Sequence, residues 1–317
     1  MLSLGVDIGG TKILAGVVNE SGHVVAERRV ASPAQDPDQM LETVSSLIQE
    51  LIAEVGPVGS IGVAAAGFVN LERSTILYAP NLNWRNEPLQ QRISERVGQK
   101  VLIENDANAA GWAEFRFGAA KDFQSMVMLT LGTGVGGAIV DGGRLMRGGF
   151  GIAGELGHIT VMRDGRDCGC GRKGCVEQYA SGTALLRSAT ELADSSDPKG
   201  RRLRELRSEA GELTGHQAYQ AVSEKDPGTL ELVEDASKHL ASAMASLVAV
   251  LDPEVFVIGG GLSELGETLL LPLRAELVKQ LPAAGYRPVA EVVRAKFSNQ
   301  AGVIGAAELA RESESKL

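Results

Sequence analysis

Cysteine is nearly missing from this chain, with three in 317 residues, and histidine is hardly commoner, with four. So small and odd a cysteine count excludes a scaffold stapled by disulfides. Long apolar runs are also lacking. None reaches the roughly 18 residues of a membrane helix, and the opening Met1-Leu2-Ser3-Leu4-Gly5-Val6-Asp7 has no basic stretch leading into an apolar one. These absences point to a cytoplasmic protein with no membrane partner. Positive charge is in deficit too: 31 Lys and Arg against 40 Asp and Glu leave −9. An acidic surface argues against nucleic acid as a partner. It does not exclude an anionic nucleotide, which needs only a local cradle of backbone N–H groups. What remains is 44% hydrophobic and 22% charged, a globular composition in a chain long enough for two domains.

The three cysteines are gathered rather than scattered. Glu155-Leu156-Gly157-His158 is followed by Cys168-Gly169-Cys170-Gly171-Arg172-Lys173-Gly174-Cys175-Val176-Glu177. Three thiolates and one imidazole, from Cys168, Cys170, Cys175 and His158, form a tetrahedral set that suits zinc and leaves no position for a catalytic water. Such a metal is a structural clamp, and the flanking carboxylates Glu155 and Glu177 are what it would hold. The spacing departs from paired CxxC fingers. A chance cluster, or a disulfide with one thiol left over, is the competing reading. Glu155 and His158 are at i and i+3 and share a face of a helical turn; Glu155, Glu177 and one ring nitrogen of His158 offer acceptors and a donor to hydroxyl groups.

Along the chain, apolar runs at Leu4 to Ile8, Ile13 to Val18 and His23 to Arg29 read as strands joined by turns. Met40 to Val55 has helical periodicity, closed by Gly56-Pro57. Strands are expected at 61–65 and 100–104, with a helix from Ala107 to about Phe117. At Met126 the opening pattern returns. With an offset of 123, Gly9 meets Gly132 and Ala15 meets Ala138, and the order strand, glycine turn, strand, turn is kept. This reads as an internal duplication, against chance likeness between two glycine-rich hairpins. Residues 194–212 read as a solvated helix and loop, Thr229 to Leu251 as a long helix, Glu254 to Ile258 as a strand, and 302–311 as an amphipathic helix. Alternating strands and helices argue for an α/β fold in two lobes. The expected domains are a small lobe at 1–116, joined by the C-terminal helix 302–317, and a large lobe at 117–301 carrying the metal stretch.

Three glycine turns follow strands: 9–12, 132–137 and 259–261. None is a P-loop or a full GxGxxG opening a helix. Glycine lets the backbone bring N–H groups close to a phosphate, while Thr11 and Thr133 add hydroxyls and Lys12 a charge. A single turn of this kind is weak evidence, since strand turns use glycine anyway; two in duplicated positions can grip a polyphosphate. Asp7 ends an apolar strand and needs a partner. Magnesium, bound through waters, is one, and the turn backbone is another. Asn105-Asp106 lies past the end of a strand, where ligands bind in open α/β sheets. A carboxylate there can take a proton from a hydroxyl that attacks phosphorus; the same pair also suits a helix N-cap. Glu104 and Glu114 are rival carboxylates without a matching cluster.

Together, Asp7-Ile8-Gly9-Gly10-Thr11-Lys12, Glu104-Asn105-Asp106-Ala107-Asn108, Leu131-Gly132-Thr133-Gly134-Val135-Gly136-Gly137 and the Glu155 to Glu177 stretch resemble the ROK family of sugar kinases and repressors over almost the whole chain. Within the family the likeness is to bacterial ATP-dependent glucose kinases. The resemblance implies a two-lobed hexokinase/actin-like ATPase fold of duplicated ribonuclease H-like lobes, with ATP and sugar in a central cleft that closes to exclude water. It implies that Asp106 is the general base for the sugar 6-hydroxyl. Asn105, Glu155, His158 and Glu177 would hold the other hydroxyls, with Gly67 and Asn81 as further candidates and His158 also on zinc. Gly9, Gly10, Thr11, Lys12, Thr133 and Gly134 would meet the ATP phosphates, Gly259, Gly260 and Gly261 the adenosine, and Asp7 the magnesium. A homodimer or homotetramer is implied as well. Repressor members carry an added N-terminal helix-turn-helix, for which a first strand starting at Leu4 leaves no room. An N-acetylhexosamine kinase, a polyphosphate donor and a non-catalytic sugar sensor are the alternatives.

Overall fold

The period-2 and period-3.6 patterns resolve into alternating strands and helices. The computed structural model describes residues 1–314, the side chain of Pro80 excepted. The first elements are β1 (Ser3–Ile8), β2 (Lys12–Val18), β3 (Val24–Ala31), α1 (Pro37–Val55) and β4 (Ser60–Ala65). Three short strands follow, β5 (Phe68–Val69), β6 (Ile76–Ala79) and β7 (Trp84–Glu87), then α2 (Leu89–Val97), β8 (Val101–Asn105) and α3 (Asp106–Phe117). The middle of the chain gives β9 (Met126–Leu131), β10 (Val135–Asp141) and β11 (Arg144–Leu145). Beyond the metal stretch come α4 (Glu177–Ala180), α5 (Gly182–Asp194), α6 (Arg201–Ala210), α7 (Gly215–Ser223) and α8 (Pro227–Leu251). The last are β12 (Val255–Gly259), α9 (Glu267–Gln280), β13 (Glu291–Arg294) and α10 (Ala301–Glu314). Residues 315–317, part of the expected C-terminal helix, lie outside the described residues.

The chain divides into two compact units. Met1–Gln124, Ala138–Gly154 and the residues from Lys296 make one; Ser125–Gly137 and Glu155–Ala295 make the other. In the first, the sheet order is β3-β2-β1-β4-β8, antiparallel at β1/β2 and parallel at β1/β4 and β4/β8. The alternation of β2 splits its side chains between two cores. Ile13, Ala15 and Val17 join Leu41, Val44, Ile48 and Leu51 of α1, while Leu14 and Val18 join Val303, Ile304 and Ala307 of α10. Asp36 caps α1 by accepting from the Asp38 and Gln39 N–H groups, Pro37 occupies its first turn, and Gly56 ends it. Each such buried Leu, Ile or Val contributes about 1.5–3 kcal/mol of transfer free energy.

The second five-stranded sheet runs β11-β10-β9-β12-β13, parallel at β9/β12 and β12/β13. The duplication read from the glycine turns is visible in the strand limits. Adding 123 to Ser3–Ile8 gives Met126–Leu131, and to Lys12–Val18 gives Val135–Asp141. One expectation needs correction. Residues 194–212 are not merely solvated, because α6 buries Leu203 and Leu206 against Ala189 and Ala193 of α5 and Ala218 and Ala221 of α7. Two leucines in a charged helix suffice to dock it when small residues face them. Among the described residues no helix is long and apolar enough to cross a membrane.

Candidate active site

In the first unit, three parallel strands end in the residues singled out from sequence. β1 ends at the turn 9–12, β4 runs toward Gly67, and β8 ends at Asn105. The Gly9 N–H donates to the Lys12 carbonyl at 3.0 Å and closes the turn, leaving Gly10 and Thr11 at its tip. Asn81, in a short 3-10 helix, lies against Gly10, its Cβ 3.9 Å from where a Gly10 Cβ would stand. The Lys12 ammonium donates to Asn299 Oδ1 at 2.8 Å.

Asn105 is the N-cap of α3, its Oδ1 accepting from the Asn108 N–H at 3.0 Å. Its amide donates to the Gly67 carbonyl and to Asp106 Oδ1, both at 3.1 Å. Asp106 is the first residue of α3, where the helix dipole favours an anion. Burial pushes the Asp106 carboxyl above its usual range, against backbone N–H groups and the Asn105 amide that pull it down. Asp7 is pushed up to about 7, chiefly by burial and then by the charge of Asp106, with Lys12 opposing. Two carboxylates therefore compete for ionisation beside a glycine turn. Lys12 offsets part of that cost, and a further cation would stabilise both charges.

The rival carboxylates are committed elsewhere. Glu104 is 1% exposed. Its Oε2 pairs with Arg73 Nε at 3.1 Å and Arg147 Nε at 3.0 Å, while Oε1 accepts from the Asn105 N–H at 2.9 Å and the Asn108 amide at 3.1 Å. Arg147 also donates to the carbonyls of Leu71 at 2.8 Å and Asn70 at 2.9 Å. This knot sits directly behind Asn105-Asp106. Nothing in the local sequence of Arg73 or Arg147 announced it. Buried Glu114 accepts from the N–H groups of Phe297 and Ala119 and ties α3 to the start of α10.

In the second unit, His158, Cys168, Cys170 and Cys175 each present a ligand atom, all within 4.8 Å of one another. Cys170 and Cys175 sulfurs are 3.7 Å apart, and Cys168 Sγ is 3.6 Å from His158 Nδ1. A tetrahedral zinc with bonds of about 2.3 Å to sulfur and about 2.0 Å to nitrogen has S···S and S···N edges of about 3.8 and about 3.5 Å. The donor set fits zinc, and a disulfide, at about 2.05 Å, does not describe it. The local backbone makes the cluster. Val161 donates to the Gly174 carbonyl, Val176 to Ile159 and Cys168 to Arg172. Gly174, at φ +74°, leaves only 1.7 Å between a would-be Cβ and the Met162 carbonyl oxygen, so only glycine fits. His158 Nε2 faces Glu155 Oε2 at 3.9 Å, and Nδ1 lies 3.7 Å from Glu177 Oε1. Cys168 Sγ approaches that same Oε1 at 2.9 Å. Glu155, His158 and Glu177 thus stand together at the cluster.

The second glycine turn adjoins a helix start. The Gly182 N–H donates to the Gly132 carbonyl at 2.7 Å, and Ser181 caps α5 by accepting from Ala184. This puts the positive end of a 13-residue helix at the Gly132-Thr133 turn, a setting for anions. A cavity of about 340 Å³ opens there, lined by Thr133, Thr183, Leu186, Tyr219, Gly261 and Leu262 among others. Of the third glycine run, Gly261 lines it. Gly259 is buried inside β12 beside Thr130, and Gly260 backs onto Leu131. The contributions of α5 and α7 were not foreseen, because Leu186 and Tyr219 read like ordinary members of a helix face until the two helices are placed side by side.

Residues 3–313 match the ROK family. The chain belongs to the ROK family. This ROK chain is 41% identical to the glucokinase of Streptomyces coelicolor over 315 residues, 99% of this chain and 98% of that one. It is 32% identical to the N-acetylmannosamine kinase of Escherichia fergusonii over 316 residues, 98% and 99% of the two chains. Among solved structures, the ROK glucokinase of Streptomyces griseus in complex with glucose and AMPPNP superposes with a TM-score of 0.88 at 40% identity, covering 98% of this chain and all of that one. The fold is therefore that of the sugar kinases and actin-like ATPases, as the resemblance implied.

Proposed function

We propose that this ROK protein is an ATP-dependent glucokinase that phosphorylates glucose at the 6-hydroxyl. The observation that carries the reading is Asp106, directly after β8 at the start of α3. Its carboxyl is raised by burial, it is held by Asn105, and it follows a strand of the same sheet as the phosphate turn. A carboxylate whose pKa is raised is a stronger base than an ordinary one. Asp106 takes the hydroxyl proton as the sugar oxygen attacks the γ-phosphorus; the O–H bond breaks, an O–P bond forms, and ADP leaves. Asn105, Glu155, His158 and Glu177 hold the remaining sugar hydroxyls, with the Gly67 backbone and Asn81 as minor contributors. Gly10, Thr11, Lys12, Thr133 and Gly134 hold phosphates, and Gly261 flanks the adenosine, with Gly259 and Gly260 in the backbone behind it. Asp7, through water, would face magnesium, which neutralises phosphate charge when bound. Zinc on His158, Cys168, Cys170 and Cys175 would fix the segment bearing Glu155 and Glu177 without taking part in transfer. The enzyme would act in the cytoplasm as a homodimer or homotetramer.

A second reading, an N-acetylhexosamine kinase, is favoured by the full-length likeness to N-acetylmannosamine kinase. A coupled assay with ATP or polyphosphate over glucose, mannose, fructose, N-acetylglucosamine and N-acetylmannosamine separates the two. Glucose with ATP is expected to give the highest kcat/KM, and Asp106→Ala to lose several powers of ten in kcat while still binding glucose. Absence of turnover on every hexose by zinc-replete protein would overturn the proposal.

A further inference from the structure

Away from the residues assigned to glucose and ATP, the first unit holds a second cavity, of about 500 Å³. Its lining includes Arg73, Lys100, Arg144, Trp112, Leu145 and Glu312. The acid in that set, Glu312, is paired with Arg116. Lys100 and Arg144 are exposed, and among the described residues neither has an ion pair. Arg73 spends Nε on Glu104, which leaves its two terminal nitrogens for another partner. Three cations around one hollow, in a chain with a net charge of −9, repel one another, and a multiply charged oxyanion relieves that repulsion. Guanidinium groups favour phosphate in particular, since their forked N–H groups match its oxygens. Trp112, Leu145 and Leu309 give the rest of the wall an apolar part, beside Gly143 and Ser313, and the volume lies in the range of small-ligand sites. Charge at one side and carbon at the other describe a phosphate ester better than a bare ion.

We propose that this cavity is a second anion site, which takes a small phosphorylated compound of sugar size between Arg73, Lys100 and Arg144. The site reaches the catalytic loop by a short path. Arg73 shares Glu104 with Arg147, and Glu104 holds the Asn105 N–H. Arg73 is itself held in the left-handed region, at φ +56°, by a turn in which its N–H donates to the Asn70 carbonyl. A phosphate drawing on the Arg73 guanidinium loosens its grip on Glu104, and occupancy lowers turnover. The inference about turnover rests on the kinase reading; the inference about binding does not.

The test uses the full-length protein with glucose and a non-hydrolysable ATP analogue at saturation, so that the catalytic site is filled. Inorganic phosphate and glucose 6-phosphate are titrated separately by calorimetry and by tryptophan fluorescence, in which Trp112 reports and buried Trp84 serves as background. Saturable binding is expected for the ester, weaker binding for phosphate alone, and a loss of at least about tenfold in affinity in Lys100→Gln/Arg144→Gln. Both side chains are exposed, so the variant keeps its fold, its melting temperature and its basal turnover. Equal binding of both probes would identify the ligand as free phosphate at the same site. No binding of either probe, or binding unchanged in the double variant, overturns the site. Binding with turnover unchanged in the wild type overturns the link through Arg73. Loss of the binding site with normal kinase activity, or the reverse, separates this inference from the kinase assignment.

Discussion

Gly134 stands against Glu177: a Cβ on Gly134 would lie 2.9 Å from Glu177 Oε2. A methyl group on the turn proposed to hold phosphate would therefore press on a carboxylate proposed to hold the sugar, and could be accommodated only by moving that carboxylate. Gly134 has an ordinary negative-φ backbone, so alanine adds bulk without backbone strain. Gly134→Ala is expected to raise KM for glucose about tenfold, near 1.4 kcal/mol, even at saturating ATP. Steady-state kinetics with each substrate varied in turn check this. A rise confined to KM for ATP would show that the contact is idle.

The Cys3His cluster and the carboxylates proposed for the sugar are joined in the same way, through Cys168 Sγ and both ring nitrogens of His158. Cys170 is the exposed ligand, so Cys170→Ser disturbs packing least. Metal content measured by inductively coupled plasma spectrometry is expected to fall. KM for glucose should rise and the melting temperature drop together, since binding energy at such a site is also folding energy. A metal-free variant that stays folded with unaltered glucose affinity contradicts the clamp.

The features legible in sequence were those written into neighbouring residues. The strands before the first two glycine turns are mostly apolar, interrupted next to their ends by half-buried Asp7 and Thr130, as the burial of β1 and β9 on both faces requires. The ligand set lay within one loop, so spacing alone assembled it. Other features had no local trace. β5, β6 and β7 have two to four residues each, too few for alternation to register, and α2 buries only Leu89 and Ile93. Asp7 and Asp106 affect each other only because β1 and β8 flank β4 in one sheet. Glu104 reads like any acid beside a functional pair until Arg73 and Arg147 close around it.

That closure carries a prediction of its own. Arg147 makes bonds to Glu104, Leu71 and Asn70 that a lysine cannot reproduce from a single nitrogen. Removing a partner from a buried ion pair typically costs about 3–5 kcal/mol, and Arg73 remains to soften the loss. Arg147→Met is expected to destabilise by about 2–4 kcal/mol in urea unfolding. Arg147→Lys, which keeps the charge, should stay folded with kcat reduced more than KM for glucose, because the Asn105-Asp106 loop is less well held. Equal effects of both variants on stability, with kcat intact, would make the knot purely structural.

Asp7 gives a pH signature. Its pKa rises from 3.8 in the ordinary state to about 7 in the folded protein, by burial and by the charge of Asp106. Between those values the folded chain binds the proton more tightly than the unfolded chain does, so stability from this group is complete below about 3.8 and is lost as pH climbs through 7. Asp7→Asn removes the titration. In magnesium-free buffer at pH 8 the variant is expected to melt about 2–4 °C above the wild type, with the gap narrowing toward pH 5. Its turnover should nevertheless fall by about two powers of ten, since the carboxylate proposed to face magnesium is gone. Melting curves from pH 5 to 8 decide the matter: a gap that is constant with pH would mean that Asp7 is an ordinary, fully ionised aspartate, and that its neighbourhood with Asp106 has no electrostatic consequence.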